Sequence, residues 1–209
     1  MKFIYLAVLA ILFSCACNRK LSNTNGAKKT KNANVANKAN DANAGKTVYL
    51  DTRGNPMLLG THPMEDLQQA PYGDWFNKNY ADYPVDSATA GRLAPLLKDK
   101  TFEIFLGTWC GDSKREVPRM LKILSYAGVK PEQVRLIMVD SHDSLYKQSP
   151  THEEKGKDIH RVPDLLVYSH DGEMNRIVEH PVVSLENDLL LIALGNSYTP
   201  SYPGAACLL

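Results

Sequence analysis

Cys110 stands where a predicted strand gives way to a predicted helix. The apolar run at residues 101–106 is rich in β-branched and aromatic side chains, which favours a buried strand. Residues 113–126 carry apolar side chains at helical spacing and are soon followed by a glycine, which predicts a helix. A thiol at a helix N-terminus faces unpaired N–H groups and the positive end of the helix dipole, and both favour the thiolate. Because the thiolate is the nucleophile in thiol–disulfide exchange, this position predicts a reactive cysteine.

Ser113, three residues after Cys110, limits what the thiol can do alone. A serine hydroxyl can donate a hydrogen bond to the sulfur, but it cannot displace a substrate from a mixed disulfide. Release of the substrate then requires an external thiol or Cys207, or it does not occur. The sequence leaves open whether Cys207 is a resolving partner or a tail thiol without a role.

The other cysteines and the histidines form no recognisable metal site or disulfide framework. The four cysteines are unevenly spaced, and no two of the six histidines make a His-x-x-x-His pair. We therefore expect no metal and no cofactor. A net charge of +1 at pH 7 gives no indication of a nucleic-acid partner. The cysteines are Cys15, Cys17, Cys110 and Cys207, and the histidines are His62, His142, His152, His160, His170 and His180.

The first 17 residues have the features of a bacterial export signal. Lys2 gives a positive start, and residues 3–13 form an apolar run too short to span a bilayer comfortably. The run leads into Leu12-Phe13-Ser14-Cys15, which resembles a lipobox with Cys15 as the lipidated residue. We expect residues 1–17 to be a signal peptide with a lipobox, so that the protein is lipid-anchored in the bacterial cell envelope, facing the periplasm or the outer surface. The alternative is a plain signal peptide with incidental cysteines.

Residues 18–46 are rich in Asn, Lys and Ala and hold few large apolar side chains. Such a segment cannot bury enough surface to offset the entropy of ordering it, so it predicts a disordered tether. A flexible chain of this length has an end-to-end distance on the order of 30 Å. The folded domain that follows is expected at residues 47–197, with an N-terminal extension at 47–100, a core at 101–197 and a flexible tail at 198–209.

Strands and helices alternate along the expected domain. A strand–helix–strand opening predicts parallel strands joined by a right-handed crossover, and the hairpin that follows predicts an antiparallel edge. A mixed α/β sheet with helices on both faces satisfies both patterns. The predicted helices are at 62–79 (capped by Thr61 and broken near residue 71), 86–97, 113–126, 151–157 and 185–194 (capped by Ser184), and the predicted strands are at 47–51, 101–106, 133–140, 164–168 and 173–179.

Three features of the chain resemble the thioredoxin superfamily. Trp109-Cys110-Gly111 matches the start of the family's active site, and Pro118 matches its helix-kinking proline. Pro163 falls where the family carries a cis-proline facing the reactive sulfur. The string from Trp109 to Pro118 also looks like that of thioredoxin-family lipoproteins from bacteria of the Bacteroidetes type. The resemblance covers residues 102–194 and implies a thioredoxin-like fold, with a central mixed sheet flanked by helices.

The resemblance also assigns roles to individual residues. The implied site consists of the nucleophile Cys110, the motif residues Trp109, Gly111, Asp112 and Ser113, and a substrate groove at Arg161, Val162 and Pro163.

The chain departs from the family pattern at three positions. Ser113 replaces the second cysteine of the family's Cys-x-x-Cys motif, and Asp164 replaces the threonine that usually follows the cis-proline. The family's buried acid aligns with Ile104, whereas Glu103 is one residue off and should point to the other face of its strand. The usual internal proton acceptor is therefore missing or displaced.

Two functions remain compatible with these residues. The first is a membrane-tethered monothiol protein that exchanges or reshuffles disulfides of exported proteins or small thiols. The second is a thioredoxin-fold binding platform without redox turnover. The sequence leaves open whether the protein is an enzyme, and it does not give the redox direction.

Overall fold

The computed structural model describes residues 48–202 of the chain. The expected signal peptide with Cys15, the tether and Cys207 lie outside the described residues. The elements in chain order are β1 (Tyr49–Leu50), β2 (Pro56–Met57), β3 (Gly60–His62), α1 (Met64–Leu67), α2 (Gly73–Asp82), α3 (Ser87–Leu97), β4 (Thr101–Leu106), α4 (Gly111–Tyr126), β5 (Val134–Met138), β6 (Asp164–Ser169), β7 (Gly172–Val178) and α5 (Leu185–Ala193).

A five-stranded mixed sheet organises the described part of the chain. Its strand order is β3-β5-β4-β6-β7, with β4 and β5 parallel and the other neighbours antiparallel. The predicted parallel strand–helix–strand unit and the antiparallel hairpin are both confirmed. β4 is buried at every residue after Thr101, as expected for a central strand that is paired on both edges. No helix within residues 48–202 is long and apolar enough to cross a membrane.

The N-terminal extension belongs to the same core as the rest of the domain. Strand β3 pairs with β5, which adds an antiparallel edge to the sheet. Phe76 of α2 and Leu93 of α3 are fully buried in the cluster that also holds the side chains of α4 and the sheet. The predicted capping of a helix by Thr61 is wrong. Thr61 lies in β3 opposite Ile137, and the short helix α1 begins only after Pro63.

The helices pack on one face of the sheet. Side chains from α2, α3, α4 and α5 form a single hydrophobic cluster with that face. The opposite face carries a second cluster that includes Phe105 and Leu166, and irregular residues such as Val162 cover it. The expectation of helices on both faces is therefore wrong.

No helix forms at residues 151–157 within the described chain. His152, Gly156 and Asp158 have φ values of 60°, 76° and 56°, and such left-handed residues interrupt a right-handed helix. The segment instead folds as turns over the second face of the sheet.

Helix α4 sets the position of Cys110. It was predicted from residue 113 and begins two residues earlier, with Cys110 as the N-cap in extended conformation (φ −85°, ψ 130°). Its buried face includes Val117, Met120 and Leu124, which anchor it on the sheet. Gly128 ends the helix at φ +79°, the left-handed conformation that glycine adopts without steric cost.

The burial of Phe76 gives a test of whether the extension is part of the core. We expect Phe76→Ala to lower the free energy of unfolding by about 3–5 kcal/mol, because it removes a fully buried aromatic side chain and leaves a cavity. Urea denaturation followed by far-UV circular dichroism measures this, and a single transition is expected. The matched control is Tyr126→Ala, since Tyr126 is 56% exposed and its loss should cost less than about 0.5 kcal/mol. A first transition that unfolds the extension alone would contradict the shared core.

Candidate functional site

The thiol of Cys110 points from the start of α4 towards the segment that precedes β6. It is partly exposed, and it donates a hydrogen bond to the carbonyl oxygen of Val162 at an S···O distance of 3.3 Å. The peptide bond between Val162 and Pro163 is cis, which the resemblance led us to expect. The backbone N–H of Cys110 donates to Gly107 O at 2.9 Å, so the turn between β4 and α4 is closed by its own hydrogen bond.

Trp109 holds that turn against the neighbouring strand. Its indole N–H donates to Val139 O at 2.8 Å, and its ring lies 5.6 Å from the ring of Tyr146. The indole also lies directly over Gly107. A Cβ atom there would come within 2.5 Å of the Trp109 ring, so only glycine allows this approach. Trp109 therefore shapes the wall beside the sulfur.

Ser113 does not use its hydroxyl to donate a hydrogen bond to the Cys110 sulfur, although its residue type would allow this. Its side chain is fully buried, and its Oγ accepts a hydrogen bond from the backbone N–H of Gly107 at 3.2 Å. Within residues 48–202 it has no hydrogen bond to the Cys110 sulfur, whose partner is Val162. The hydroxyl therefore stabilises the turn at Gly107.

The other two motif residues, Gly111 and Asp112, lie in the first turn of α4. Asp112 forms an ion pair with Arg115 at 2.8 Å on the half-exposed side of α4. Gly111 is the first residue of α4, and a Cβ atom there would meet nothing within 4 Å. Neither residue lines the groove at the Cys110 thiol.

A groove of about 400 Å³ surrounds the Cys110 thiol. The structure places the predicted residues Arg161 and Val162 in its lining, whereas Pro163 is buried behind it, with its carbonyl oxygen accepting a hydrogen bond from Glu179 N at 2.7 Å. A second depression of similar volume lies at the other end of β4 and contains no cysteine or histidine. The groove residues are Trp109, Cys110, Tyr146, Lys147, His160, Arg161, Val162 and Glu179.

The groove carries two cations and one carboxylate beside the thiol. Arg161 pairs with Glu179 at 3.1 Å. Lys147 donates a hydrogen bond to His160 O, and its ammonium lies 4.6 Å from the centre of the Tyr146 ring. Burial lowers the pKa of Lys147, and Arg161 lowers it further, whereas the charges of Cys110 and Glu179 oppose this. Lys147 and Cys110 therefore line the same groove.

Sequence reasoning missed Lys147. The residue lies 37 positions after Cys110 in a segment without regular structure, so no spacing connects the two. Its φ of +59° places it in the left-handed region, which short-range propensity does not favour for lysine.

Asp164 is a second group whose role the sequence did not reveal. It is 1% exposed, and Arg176 Nη1 donates to its Oδ2 at 3.1 Å. Its Oδ1 is buried and has no hydrogen-bond partner within the described chain. Burial raises the pKa of Asp164 to about 7, against the opposing effect of Arg176, and Glu173 and Asp158 raise it further. This carboxyl therefore titrates near neutral pH, two residues after the carbonyl group that binds the thiol.

Glu103 lies on the strand face that the sequence predicted, opposite Ile104. Ile104 joins the helix-side cluster, whereas Glu103 accepts hydrogen bonds from Arg135 at 2.8 Å and Tyr168 at 3.0 Å. Lys157 also donates to its second oxygen. With three donors, Glu103 joins residues of β4, β5, β6 and the segment before β6 on the face of the sheet opposite the helices.

Comparison with known proteins adds little to this geometry. The sequence matches no known family and no curated protein. Two solved structures share part of the arrangement, each at 13% identity over 61% of this chain. One is a protein of unknown function from Pseudomonas aeruginosa, covered over 86% of its length with a TM-score of 0.42. The other is an HIV epitope scaffold, covered over its whole length with a TM-score of 0.31. Both scores are too low to support an argument about family or function.

The acidic, histidine and cysteine side chains were also compared for groupings that could ligate a metal ion. Within residues 48–202, no group of three or more His, Cys, Asp or Glu side chains is placed to hold a metal ion.

The buried carboxyl of Asp164 predicts a specific pH dependence of stability. Below about pH 4 it is protonated in both the folded and the unfolded chain. Between pH 4 and pH 7 it ionises only in the unfolded chain, so the free energy of unfolding falls as the pH rises. A change in pKa from 3.8 to about 7 corresponds to at most about 4 kcal/mol, and above pH 7 the effect is constant.

Asp164→Asn removes this titration. The wild type should therefore lose stability between pH 4 and pH 7 while the variant does not, and the free energy of unfolding of the variant relative to the wild type should increase over that range. Urea denaturation of both proteins at each pH measures the difference. Glu173 and Asp158 are the same in both proteins, so their own titrations largely cancel. Parallel pH profiles would show that Asp164 titrates normally in the folded state.

Proposed function

We propose that this protein is a thioredoxin-like monothiol protein whose Cys110 forms mixed disulfides with exported proteins or small thiols. The observation that carries the proposal is the position of the thiol. It lies at the N-cap of a 16-residue helix that packs one face on the sheet, and it opens into a groove in which Lys147 and Arg161 supply positive charge. This position gives the sulfur access to a substrate disulfide and places two cations in the groove where a thiolate would react.

The architecture supports the proposed fold family in part. The parallel unit β4–α4–β5, the hairpin β6–β7 and the final helix α5 occur in the order that the resemblance implies. Pro118 lies inside α4, and the Val162–Pro163 bond faces the sulfur, again as the resemblance implies. The irregular segment between β5 and β6 is a departure, because it covers the second face of the sheet without an α-helix and contains only a short 3-10 helix, Asp143–Leu145.

Ser113 makes exchange a better-supported reaction than net reduction. In the first step the Cys110 thiolate attacks one sulfur of a substrate disulfide, the S–S bond breaks, and the other sulfur leaves as a thiolate. A second substrate thiolate then attacks the mixed disulfide, forms a new substrate disulfide and returns Cys110 to the thiolate. The number of disulfides is unchanged, so the cycle needs neither an oxidant nor a reductant.

Lys147 is suited to assist both steps. Its ammonium lies in the groove with the thiol and is partly desolvated, which strengthens its interaction with a nearby anion. It can stabilise the Cys110 thiolate before attack and again when the mixed disulfide is broken. Arg161 is less available for this role because Glu179 already pairs with it.

The proposed location follows from the sequence. Cys15 would carry the lipid, and residues 18–46 would hold the domain away from the membrane surface of the cell envelope. Lipidation can be tested separately from the thiol chemistry, since it concerns a different cysteine.

A binding platform is the second candidate function, and one observation favours it. Leu145 and Tyr146 expose 48% and 49% of their surfaces, and Tyr146 lines the groove. Apolar surface at a groove rim is typical of a site that binds protein segments. This function would not require Cys110 to react.

The rate of alkylation of Cys110 tests the proposed role of the groove charges. In the full chain with Cys15, Cys17 and Cys207 changed to Ser, iodoacetamide labelling is followed by mass spectrometry from pH 5 to pH 9. We expect Lys147→Gln to slow labelling at pH 7 about threefold, because it removes a positive charge near a partly exposed thiolate.

The matched control is Lys98→Gln, since Lys98 is exposed and lies in the depression at the other end of β4. It should leave the rate unchanged. If labelling of the parent rises only around pH 8.5, as for a free cysteine, the proposal of an activated thiol fails. If both lysine variants behave alike, Lys147 has no special role.

A further inference from the structure

A short turn attached to the end of β5 presents Lys147 to the groove. The backbone N–H of Asp140 donates to Gln148 O, and that of Lys147 donates to Asp140 O, both at 3.0 Å. A further hydrogen bond from Gln148 N to Leu145 O at 2.8 Å closes the turn. At the end of the side chain, the Lys147 ammonium donates to His160 O. The backbone and the ammonium of this lysine are therefore both positioned before a substrate binds.

Lys147 is a partly buried cation that forms no ion pair among residues 48–202. Its ammonium contacts the carbonyl oxygen of His160 and lies 4.6 Å from the centre of the Tyr146 ring. Neither of these groups carries the negative charge that would neutralise it. Burial is the main cause of the lowered pKa of Lys147, which shows that the charged form is incompletely compensated where it stands. A bound anion would supply the missing compensation.

The other cation of the groove already has an acidic partner. Arg161 Nη1 donates to both carboxylate oxygens of Glu179, at 3.1 Å and 3.2 Å. The backbone of Glu179 is also fixed, because its N–H donates to Pro163 O at 2.7 Å. The groove thus contains one lysine, one arginine and one glutamate, whose formal charges sum to +1. The positive charge without a partner is that of Lys147.

The groove has the size and the lining of a site for a small molecule. Its volume of about 400 Å³ lies within the range of roughly 300–1,000 Å³ that is typical of small-molecule sites. The rings of Trp109 and Tyr146, 5.6 Å apart, provide an apolar wall. Cys110 and Lys147 line the same groove. A ligand that suits this lining has a reactive sulfur, a short apolar chain and an anionic group.

We propose that the groove selects small organic disulfides that carry a carboxylate a few bonds from the sulfur, and that Lys147 binds this carboxylate. The inference rests on the proposed function, because it requires Cys110 to attack disulfides. The thiolate attacks one sulfur of the substrate, the S–S bond breaks, and the other half leaves as a thiolate. The carboxylate-bearing half stays on Cys110 as a mixed disulfide, so one disulfide is exchanged for another without a further oxidant or reductant.

Three disulfides of similar length test this selectivity. 3,3′-Dithiodipropionate carries a carboxylate at each end, cystamine carries an ammonium, and 2-hydroxyethyl disulfide carries a neutral hydroxyl. Each compound is added at pH 7 and low ionic strength to the full chain with Cys15, Cys17 and Cys207 changed to Ser. Samples are quenched with acid, and mass spectrometry gives the rate at which the mixed disulfide forms on Cys110.

The rate with the anionic compound is divided by the rate with the cationic compound, and this ratio is compared between protein variants so that intrinsic reactivities cancel. Lys147→Gln should lower the ratio about tenfold, because loss of one cation changes the two rates about threefold in opposite directions. Any effect of Lys147 on the thiolate itself alters both rates alike and cancels as well. Glu179→Gln should raise the ratio by a similar factor, because it removes the carboxylate that neutralises Arg161.

The matched control is Lys98→Gln, since Lys98 is exposed and lies in the depression at the other end of β4. Its ratio should equal that of the parent. Misfolding of a variant would not move the ratio in opposite directions for Lys147→Gln and Glu179→Gln.

The outcomes separate the inference from the proposed function. If the ratio is the same in the parent, Lys147→Gln and Glu179→Gln, the inference is overturned, while a mixed disulfide formed with the neutral compound leaves the proposed function standing. An absence of any mixed disulfide on Cys110 with all three compounds overturns the two together.

Discussion

The burial of β4 between two hydrogen-bonded neighbours is the constraint on which the site depends. β5 pairs along one edge and β6 along the other, and the helix-side cluster fills one face of the strand. The chain must therefore leave the sheet after Leu106 and turn at once into α4. Three interactions hold that turn: Cys110 N to Gly107 O, Gly107 N to Ser113 Oγ, and Trp109 Nε1 to Val139 O. Cys110 is left at the helix N-terminus, facing the segment that enters β6.

The elements that could be predicted are those with strong local signals. β4 is a continuous apolar run, α4 has a helical pattern closed by Gly128, and Ser184 caps α5 through a hydrogen bond from Asn187 N. What could not be predicted depends on contacts between distant parts of the chain. Lys147 reaches the groove through an irregular segment, and that segment covers a sheet face where a helix was expected. The burial of Asp164 follows from its place between β4 and β7, which no local pattern reveals.

The site combines an accessible thiol with two cations, of which one is already engaged in an ion pair. Arg161 is paired with Glu179 and makes a cation–π contact with the Tyr202 ring, so it mainly forms part of the groove wall. Lys147 remains the cation most able to respond to a change of charge on the sulfur. Ser113 contributes to the backbone turn, which explains why a hydroxyl suits that buried position even though it cannot resolve a mixed disulfide. The geometry thus favours formation of mixed disulfides and leaves their resolution to a thiol outside the motif.

The measurement that tests the central claim most directly is the trapping of covalent partners on Cys110 in cells. Bacteria expressing the full chain are quenched with acid, free thiols are blocked, and the purified protein is analysed without and then with reductant. The account predicts partners that are released by reductant and are absent from cells expressing Cys110→Ser. Recovery of the same partners with Cys110→Ser would contradict the account and show a binding platform that makes no use of the thiol.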